Sequence, residues 1–404
     1  MASVDPNPSE NSNSRRNSWA STDSETSTFE YGHEPFEELV PKVQALCHKI
    51  WPSAAEDFSV ERIQVGSWDR IIGITPPSAS EDSGKSCVLR IPRYEDDEQE
   101  ERMAVLRYVR EHTMISMQDI LLSDATDNNP LGSPYVIQNR VPGGALCYTY
   151  DSLSYEQRKT IAREIGRIHK IQQTATEKKS GAIQASKADT GGYTYRIDRF
   201  PINPKPELNL GDLSLSDTVS VRDTYLTLFR LQEASTRQHF PQETEKANYF
   251  KKLADLKKEM DDGGLFQYVG HCLCHSALMP RDVMADTLKD GSVKIIGILG
   301  WGNAVIAPCF TACRSPHWLW GEEDPEKEND LPATPENQEL KRIFEETVGP
   351  QFLIYSYNAK YQLATRLFDL ARHGHKIDDV SMLALEADYL IGTWAEMKAR
   401  VCID

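Results

Sequence analysis

Hydrophobic and polar residues follow a helical period over much of the second half of the chain. Apolar positions three and four residues apart predict helices near 155–172, 221–238, 243–260, 336–347, 351–373 and 380–401. The first third differs, because short apolar runs alternate with turn residues and with one helical pattern, near 96–112. Strands with one helix in the first third of the chain, and mainly helices after it, predict an α+β protein.

This pattern divides the chain into three regions. Residues 1–30 are rich in Ser, Thr, Asn and Glu and poor in apolar types, which predicts a disordered tail. A small lobe is predicted over 36–141 and a large helical lobe over 142–404, with the boundary at Pro142-Gly143-Gly144. In the tail, Arg15-Arg16-Asn17-Ser18 matches the target of a basophilic protein kinase, so Ser18 is a candidate phosphosite. Short matches of this kind also arise by chance.

Composition and charge narrow the classes of partner and compartment. A net charge of −16 argues against nucleic acid or an anionic membrane as the main partner, and it suits a cationic ligand. No apolar run approaches the twenty residues of a membrane span, and the N-terminus lacks a basic and apolar signal. Eight scattered cysteines favour reduced thiols, which predicts a cytoplasmic protein and leaves a nuclear one open. The partner, a small molecule or a protein, is not identified by composition.

The most informative stretch joins a strand, a tight loop and a hairpin. The strand Cys272–His275 leads into the loop Ser276–Asp282. Asp290-Gly291 predicts the turn of a hairpin, and the apolar run 293–299 returns the chain to Gly300. This layout is typical of kinase-like enzymes, in which it brings together a base, an amide and a metal-binding carboxylate.

In this stretch the chain resembles the aminoglycoside phosphotransferase and choline-kinase-like family, especially its fungal members. The family's loop reads H-x-D-L-x-P-R-N, and its strand ends in L-D-W-D before A-x-x-A-P. This chain keeps the frame of these motifs at ten positions: His275, Leu278, Pro280, Arg281, Leu299, Trp301, Asn303, Ala304, Ala307 and Pro308. The resemblance places the family's catalytic aspartate at Ala277 and its metal-binding asparagine at Asp282. The metal-binding aspartate falls on Gly300 and the second aspartate of that motif on Gly302. An intact frame without its reacting residues implies a pseudokinase.

Other blocks extend the resemblance over about residues 36–401. The segment Gly66-Ser67-Trp68-Asp69-Arg70 is similar to the family's nucleotide loop, in which the position of Asp69 is usually asparagine. Arg90 takes the place of the phosphate-binding cation, and Gln138–Gly143 resembles the hinge on which adenine docks. The resemblance therefore implies five nucleotide-binding candidates: Gly66, Ser67, Arg90, Gln138 and Arg140. It also implies a protein-kinase-like bilobal fold, with a small lobe built on a five-stranded antiparallel sheet.

Arg90 has two interpretations, a phosphate-binding cation or an arginine at a strand edge, and the residues around it favour the first. The helix expected to supply a glutamate to this cation has Arg102 at that place. Glu98 and Glu101 are the acidic alternatives; without them Arg90 would face a like charge. Hinge backbone groups and Arg90 are nevertheless expected to remain available for adenine and phosphate.

The residue types suggest two possible metal sites, one for Mg²⁺ and one for zinc. Asp282 is a suitable Mg²⁺ ligand, but with glycine at position 300 it would act almost alone. We therefore expect no tight Mg²⁺ site, and weak or absent ATP binding. The run His271-Cys272-Leu273-Cys274-His275 with Cys309 and Cys313 suggests zinc. Because alternation along a strand separates the cysteines from the histidines, buried free cysteine is the better explanation.

Three functions remain open at this point. The first is a catalytically inactive pseudokinase that binds a ligand or a partner. The second is an atypical ATP-dependent phosphotransferase of a small molecule, which would use Asp282 or Asp286 in place of the lost acids. The third is a cleft adapted to metabolite binding or to other chemistry.

Overall fold

The computed structural model describes residues 32–52, 57–63, 69–77, 86–93, 99–187, 193–202, 220–276, 278–321 and 331–401. The predicted tail with Ser18, the loop residues Gly66 and Ser67, and Ala277 lie outside the described residues. The chain divides into two compact units. The first comprises residues 1–99 and 118–141, and the second comprises 100–117 and 142–404.

The first unit contains a five-stranded antiparallel sheet, in the order β1-β2-β3-β5-β4. The strands are β1 Ser59–Ile63, β2 Asp69–Thr75, β3 Cys87–Pro92, β4 Ile120–Asp124 and β5 Tyr135–Asn139. β-branched residues and leucine fill the middle strands, and their buried side chains form one core. The predicted five-stranded antiparallel sheet is confirmed.

A helix that the sequence analysis missed packs on this sheet. Helix α1, Phe36–Ile50, buries Leu39, Val43, Leu46 and Cys47 in the core of the first unit. These positions follow the spacing of one helix face, so the signal was present in the sequence. The prediction that the small lobe has only one helix was therefore wrong.

The helix predicted near 96–112 belongs mainly to the second unit. Helix α2 spans Gln99–His112, and its buried residues Val105, Tyr108 and Val109 lie in the core of that unit. Apolar burial decides this assignment, because a helix groups with the elements that cover its apolar face. Residues 100–117 thus belong to the second unit, whereas the prediction placed them in the small lobe 36–141.

The other helices of the second unit are α3 Leu146–Thr149, α4 Tyr155–Thr174, α5 Val221–His239, α6 Thr244–Asp262, α7 Pro335–Val348, α8 Pro350–Tyr357, α9 Ala359–His373 and α10 Val380–Val401. The single helix predicted over 351–373 is two helices. The side chain of Asn358 accepts a hydrogen bond from the amide of Lys360 and so begins α9 as an N-cap.

The second unit also contains two sheets. One has the order β12-β11-β6, from the strands β6 Gly144–Ala145, β11 Val283–Thr287 and β12 Val293–Ile298. The other has the order β7-β10-β13-β8-β9, from β7 Thr176–Glu177, β8 Gly181–Lys187, β9 Tyr193–Asp198, β10 His271–Cys274 and β13 Val305–Pro308. The predicted hairpin is the β11–β12 pair, with Gly291 at a φ of 81° in its turn. Sheets and helices together confirm the α+β class.

None of the described helices combines the length and the apolar character that a membrane span requires.

Candidate functional site

The loop that follows β10 is fixed to the end of β12 through His275. This histidine is only 5% exposed, and its Nε2 donates to the carbonyl oxygen of Leu299 at 2.6 Å. The ring packs edge-on against Trp301, with centroids 4.6 Å apart. Trp301 is itself buried and donates from Nε1 to the carbonyl of Ile298 at 3.1 Å. The loop and the strand end are therefore one packed element.

Ser276 gives this loop its sharp turn. Its φ of 69° is the one left-handed value among the described residues other than glycine. A left-handed conformation costs an ordinary residue roughly 1–2 kcal/mol. The Ser276 hydroxyl donates to the carbonyl of Asn303 at 2.9 Å, which holds the turn in place just before Ala277.

Asp282 and Gly300 are in direct contact. The amide of Leu299 donates to the backbone carbonyl of Asp282 at 2.7 Å. Gly300 has a φ of 79°, and a Cβ atom built on it would lie 2.8 Å from Oδ1 of Asp282. The same Cβ would lie 3.1 Å from Cε1 of His275. The structure thus brings together His275, Asp282 and Gly300, and a side chain at position 300 would require the Asp282 side chain to move.

The Asp282 carboxylate also stabilises its own loop. The amide of Met279 donates to Oδ2 at 3.1 Å. Burial raises the pKa of Asp282 above its ordinary value, while the neighbouring His275 acts in the opposite direction. No group of three or more histidine, cysteine, aspartate or glutamate side chains in the described part of the chain is arranged to hold a metal ion. Asp282 has no second carboxylate beside it at Gly300.

Asp286, the other candidate acid, lies farther along the hairpin. It is paired across the sheet with Lys294, whereas Val283 is opposite Ile298 at the loop end. Four residues of extended chain separate Asp286 from Asp282 by about 13 Å. The structure therefore does not bring Asp286 to the contact between Asp282 and Gly300.

Gly302 has a different environment from Gly300. A Cβ atom at Gly302 would meet only the aliphatic part of Arg102, with Cγ at 3.5 Å and Cδ at 3.7 Å. These are ordinary van der Waals distances, so position 302 has space for a side chain. The arginine that the sequence analysis placed at the glutamate position of α2 thus contacts Gly302 within the second unit.

In the first unit, Arg90 is held by neighbours on the same sheet. Its Nη1 lies 3.2 Å from Oδ2 of Asp69, and its Nε donates to Oε1 of Gln138 at 2.8 Å. A longer hydrogen bond of 3.4 Å joins Nη2 to Gln118. Asp69 and Gln138 are diagonal cross-strand neighbours of Arg90 on β2 and β5. Arg90 therefore has an acidic partner in Asp69, a residue that the sequence analysis did not consider for this role.

The hinge residues are also engaged within the first unit. The amide of Arg140 donates to the carbonyl of Ser86 at 2.9 Å, and that of Asn139 donates to Asp119 at 3.0 Å. The Arg140 guanidinium pairs with Glu61 on β1. Of the nucleotide-binding candidates, Arg90 and Gln138 come together while Arg140 pairs elsewhere. The Arg90 guanidinium and the amides of Asn139 and Arg140 thus make hydrogen bonds within the first unit.

We predict that Asp69→Asn will strengthen the binding of anions by Arg90. The substitution removes the charge that competes with a phosphate group, and we expect the affinity for Mg²⁺-free ATP to rise about tenfold, as for one charge-assisted hydrogen bond. Isothermal titration calorimetry measures this directly. Glu61→Gln is the matched control, because it removes a carboxylate paired with Arg140 instead. Equal affinities in Asp69→Asn and the unmodified protein would contradict this role.

A large cavity lies beside the loop, in the second unit. Its volume is about 940 Å³, and Cys274, His275, Ser276, Leu278 and Met279 form one side. The other sides come from α4, the segment around 311–318 and helices α8 to α10. The sequence analysis did not predict this cavity, because its lining residues come from segments far apart in the chain.

Several polar groups on the cavity wall have no partner. Gln172, Ser315 and Ser356 are at most 5% exposed. The described residues offer no hydrogen bond to Nε2 of Gln172, Nε1 of Trp318 or the two serine hydroxyls. A buried donor left unsatisfied costs roughly 1–3 kcal/mol, so such groups are rare in native proteins.

Comparisons with known proteins give a likeness in structure alone. No protein-family model matches the sequence, and no curated protein matches it. Among solved structures, the aminoglycoside phosphotransferase APH(4)-Ia is 13% identical at a TM-score of 0.47, over 87% of this chain and 98% of that one. Wild-type aminoglycoside 2'-phosphotransferase-IIIa with GDP is 12% identical at a TM-score of 0.45, over 88% and 99%. A putative aminoglycoside phosphotransferase from Ralstonia eutropha is 11% identical at a TM-score of 0.44, over 87% and 95%.

These proteins are named as aminoglycoside phosphotransferases, which is the family that the loop residues resemble. Similarity of this degree assigns neither a substrate nor an activity to this chain.

Proposed function

We propose that this chain is a phosphotransferase-like protein of the bilobal kinase-like class that does not transfer phosphate. It acts instead by binding a small molecule or a partner protein. The observation that carries the proposal is Gly300, which stands where the family's metal-binding aspartate falls. Its left-handed backbone and its contact with Asp282 favour glycine specifically.

The chemistry of phosphoryl transfer supports this proposal. Transfer depends on positioning and on metal ions that neutralise charge on the phosphates. Alanine at position 277 and glycine at position 300 provide neither a base nor a second carboxylate. Loss of a general base alone typically reduces the rate about 10²–10⁴-fold. Because such residues act as a unit, the separate losses do not simply add.

The ion pair of Arg90 supports weak nucleotide binding. A phosphate group would have to compete with Asp69 for the guanidinium, and with Gln138 for its Nε. Such competition lowers affinity, because a carboxylate next to the phosphates repels them. We therefore propose that ATP binds weakly or not at all and that Mg²⁺ has little influence.

One observation favours a second candidate, an atypical ATP-dependent phosphotransferase. Oδ1 of Asp282 lies 2.8 Å from the point at which a side chain at position 300 would begin. A carboxylate is thus present close to the family's metal position, although it comes from the loop and not from the strand end. In this candidate Asp282 would bind Mg²⁺ or accept a proton, and burial that raises its pKa favours the second role.

Titration of ATP with and without Mg²⁺ tests the proposal. We expect a Kd weaker than about 1 mM in both cases, because only hydrogen bonds and a shared cation would contribute. The thermal shift at about 1 mM ATP should be small and unchanged by EDTA, since stabilisation follows RT ln(1 + [L]/Kd) and [L] would not exceed Kd. A phosphate-release assay should show no turnover above buffer.

Asp282→Ala separates the two candidates, because it removes both the charge and the oxygen ligand. Asp282→Asn is the control, since asparagine keeps an oxygen ligand and the acceptor for the Met279 amide. Under the proposed function both variants bind ATP like the unmodified protein. Mg²⁺-dependent binding or phosphate release that disappears in Asp282→Ala would refute the pseudokinase and establish the atypical enzyme.

A further inference from the structure

We infer that Cys309 and Cys272 form an oxidant-sensitive thiol pair, in which a peroxide oxidises Cys309 and Cys272 then closes a reversible disulfide. The inference goes beyond the proposed function and does not depend on it. Both residues belong to the second unit, at the paired strands β10 and β13. The reactant is a small oxidant, and the product is a covalent cross-link between the two strands.

Strand register places the two thiols on the same face of the sheet. Cys272 lies opposite Ala307. The amide of Cys309 donates to the carbonyl oxygen of Gly270 at 2.9 Å, so the pairing continues one residue beyond β13. Because side chains two residues apart along a strand share a face, Cys272 and Cys309 are diagonal neighbours on that face. A Cβ atom built on Gly270 would lie 3.9 Å from Sγ of Cys309, so this sulfur lies over Gly270.

Hydrogen bonds distinguish Cys309 within the cysteine cluster, which comprises Cys272, Cys274, Cys309 and Cys313. The thiol of Cys274 donates to the carbonyl oxygen of Thr311 at 3.6 Å. The thiol of Cys313 donates to the carbonyl oxygen of Cys309 at 3.2 Å. The Cys272 thiol instead shares a hydrogen bond with the sulfur of Cys309. Cys309 is therefore the sulfur of this cluster that accepts a hydrogen bond.

Two properties make Cys309 the thiol that reacts first. The hydrogen bond from Cys272 lowers the pKa of Cys309, although burial acts in the opposite direction. Burial raises the pKa of Cys313 instead. Cys309 is also partly exposed, whereas the other three thiols of the cluster are buried. Because the thiolate is the nucleophile and a peroxide has to reach it, oxidation begins at Cys309.

The reaction with hydrogen peroxide consists of two displacements. The Cys309 thiolate attacks one peroxide oxygen, the O–O bond breaks, and the hydroxide that leaves takes up a proton to become water. The sulfur is thereby oxidised to a sulfenic acid, and the peroxide is reduced. The Cys272 sulfur then attacks Cys309, the S–O bond breaks, and the hydroxyl group leaves as water with the Cys272 thiol proton. A dithiol reductant reverses the cross-link by thiol–disulfide exchange.

The position of the two cysteines favours a reversible cross-link over a permanent one. Diagonal neighbours on a sheet lie about 7–8 Å apart, a little beyond the Cα separation of about 4.4–6.8 Å that a relaxed disulfide spans. The two strand ends must therefore approach each other when the bond forms. The resulting strain makes the disulfide easier to reduce.

Alkylation kinetics on the full chain test the reactivity of Cys309. With iodoacetamide at pH 7, we expect Cys309 to react at least about tenfold faster than Cys147, because the thiolate is the reacting form. Cys147 is the matched control, since it is exposed but desolvation of its sulfur raises its pKa. Mass spectrometry of the digested protein reports both rates.

Hydrogen peroxide tests the cross-link itself. We expect a product lighter by two hydrogen atoms, in which Cys272 and Cys309 are joined and which dithiothreitol reduces. Cys309→Ser should abolish this product and leave Cys272 unreacted. Cys313→Ala is the control, because the thiol of Cys313 donates to a backbone carbonyl and takes no part in the pair. Its cross-link should form as in the unmodified protein.

Cys272→Ala distinguishes a thiol pair from a reactive Cys309 alone. Without the donor, alkylation of Cys309 should slow by about tenfold. Peroxide should then leave Cys309 as a sulfenic acid, which dimedone traps. Circular dichroism checks the fold of this variant, because Cys272 is 0% exposed.

Three results would overturn the inference. They are slower alkylation of Cys309 than of Cys147, a peroxide product in which Cys309 is joined to Cys313, and a cross-link that persists in Cys309→Ser. The last of these decides even if Cys272→Ala does not fold. ATP turnover would refute the proposed function and leave the thiol pair unaffected.

Discussion

Gly300→Asp, which returns the family's aspartate to its position, is expected to destabilise the fold by about 3 kcal/mol instead of restoring a metal site. The backbone at φ 79° disfavours any side chain, and the new Cβ would lie 2.8 Å from Oδ1 of Asp282. The two neighbouring carboxylates would also repel each other. Urea denaturation followed by circular dichroism measures the loss.

Gly302→Asp is the matched control for this prediction. It introduces the same side chain two residues away, where only Arg102 lies nearby at ordinary contact distances. We expect a change below about 1 kcal/mol there. Adding Asp282→Ala to Gly300→Asp should recover part of the loss, because it removes the atom in closest contact. Equal stabilities for the two glycine variants would show that Gly300 is not constrained.

Trp301→Ala is expected to cost about 4 kcal/mol of unfolding free energy, the range found when a large buried aromatic side chain is removed. The indole is 1% exposed and packs against His275. Its loss leaves a cavity under the loop and removes the donor to the carbonyl of Ile298. Urea denaturation on the full chain measures this loss.

Trp301→Phe separates packing from hydrogen bonding. Phenylalanine keeps most of the buried area and loses only the Nε1 donor, for which we expect about 1 kcal/mol. Similar losses in Trp301→Ala and Trp301→Phe would assign the effect to the hydrogen bond and contradict the packing argument.

If these results hold, the loop 278–282 has a structural role of its own. The Asp282 carboxylate accepts from the Met279 amide, and Gly300 allows the loop to close against the strand end. These contacts support one side of the cavity, which Leu278 and Met279 line.

The sequence by itself determined what depends on local periodicity and turn chemistry. Helices α4, α5, α6 and α10 begin and end within a few residues of their predicted bounds, because apolar spacing is a property of each segment alone. The hairpin turn at Asp290-Gly291 was predictable for the same reason. The in-frame residues around His275 and Trp301 identified the loop and its strand end as the place to examine.

Only the tertiary structure decided which groups meet across distant segments. The pairing of Arg90 with Asp69, the grouping of α2 with the second unit and the break at Asn358 depend on packing or on single hydrogen bonds. The cavity is the clearest case, because its wall combines His169 with residues more than two hundred positions later. Periodicity is a property of each segment alone, whereas a cavity wall depends on which segments the fold brings to one surface.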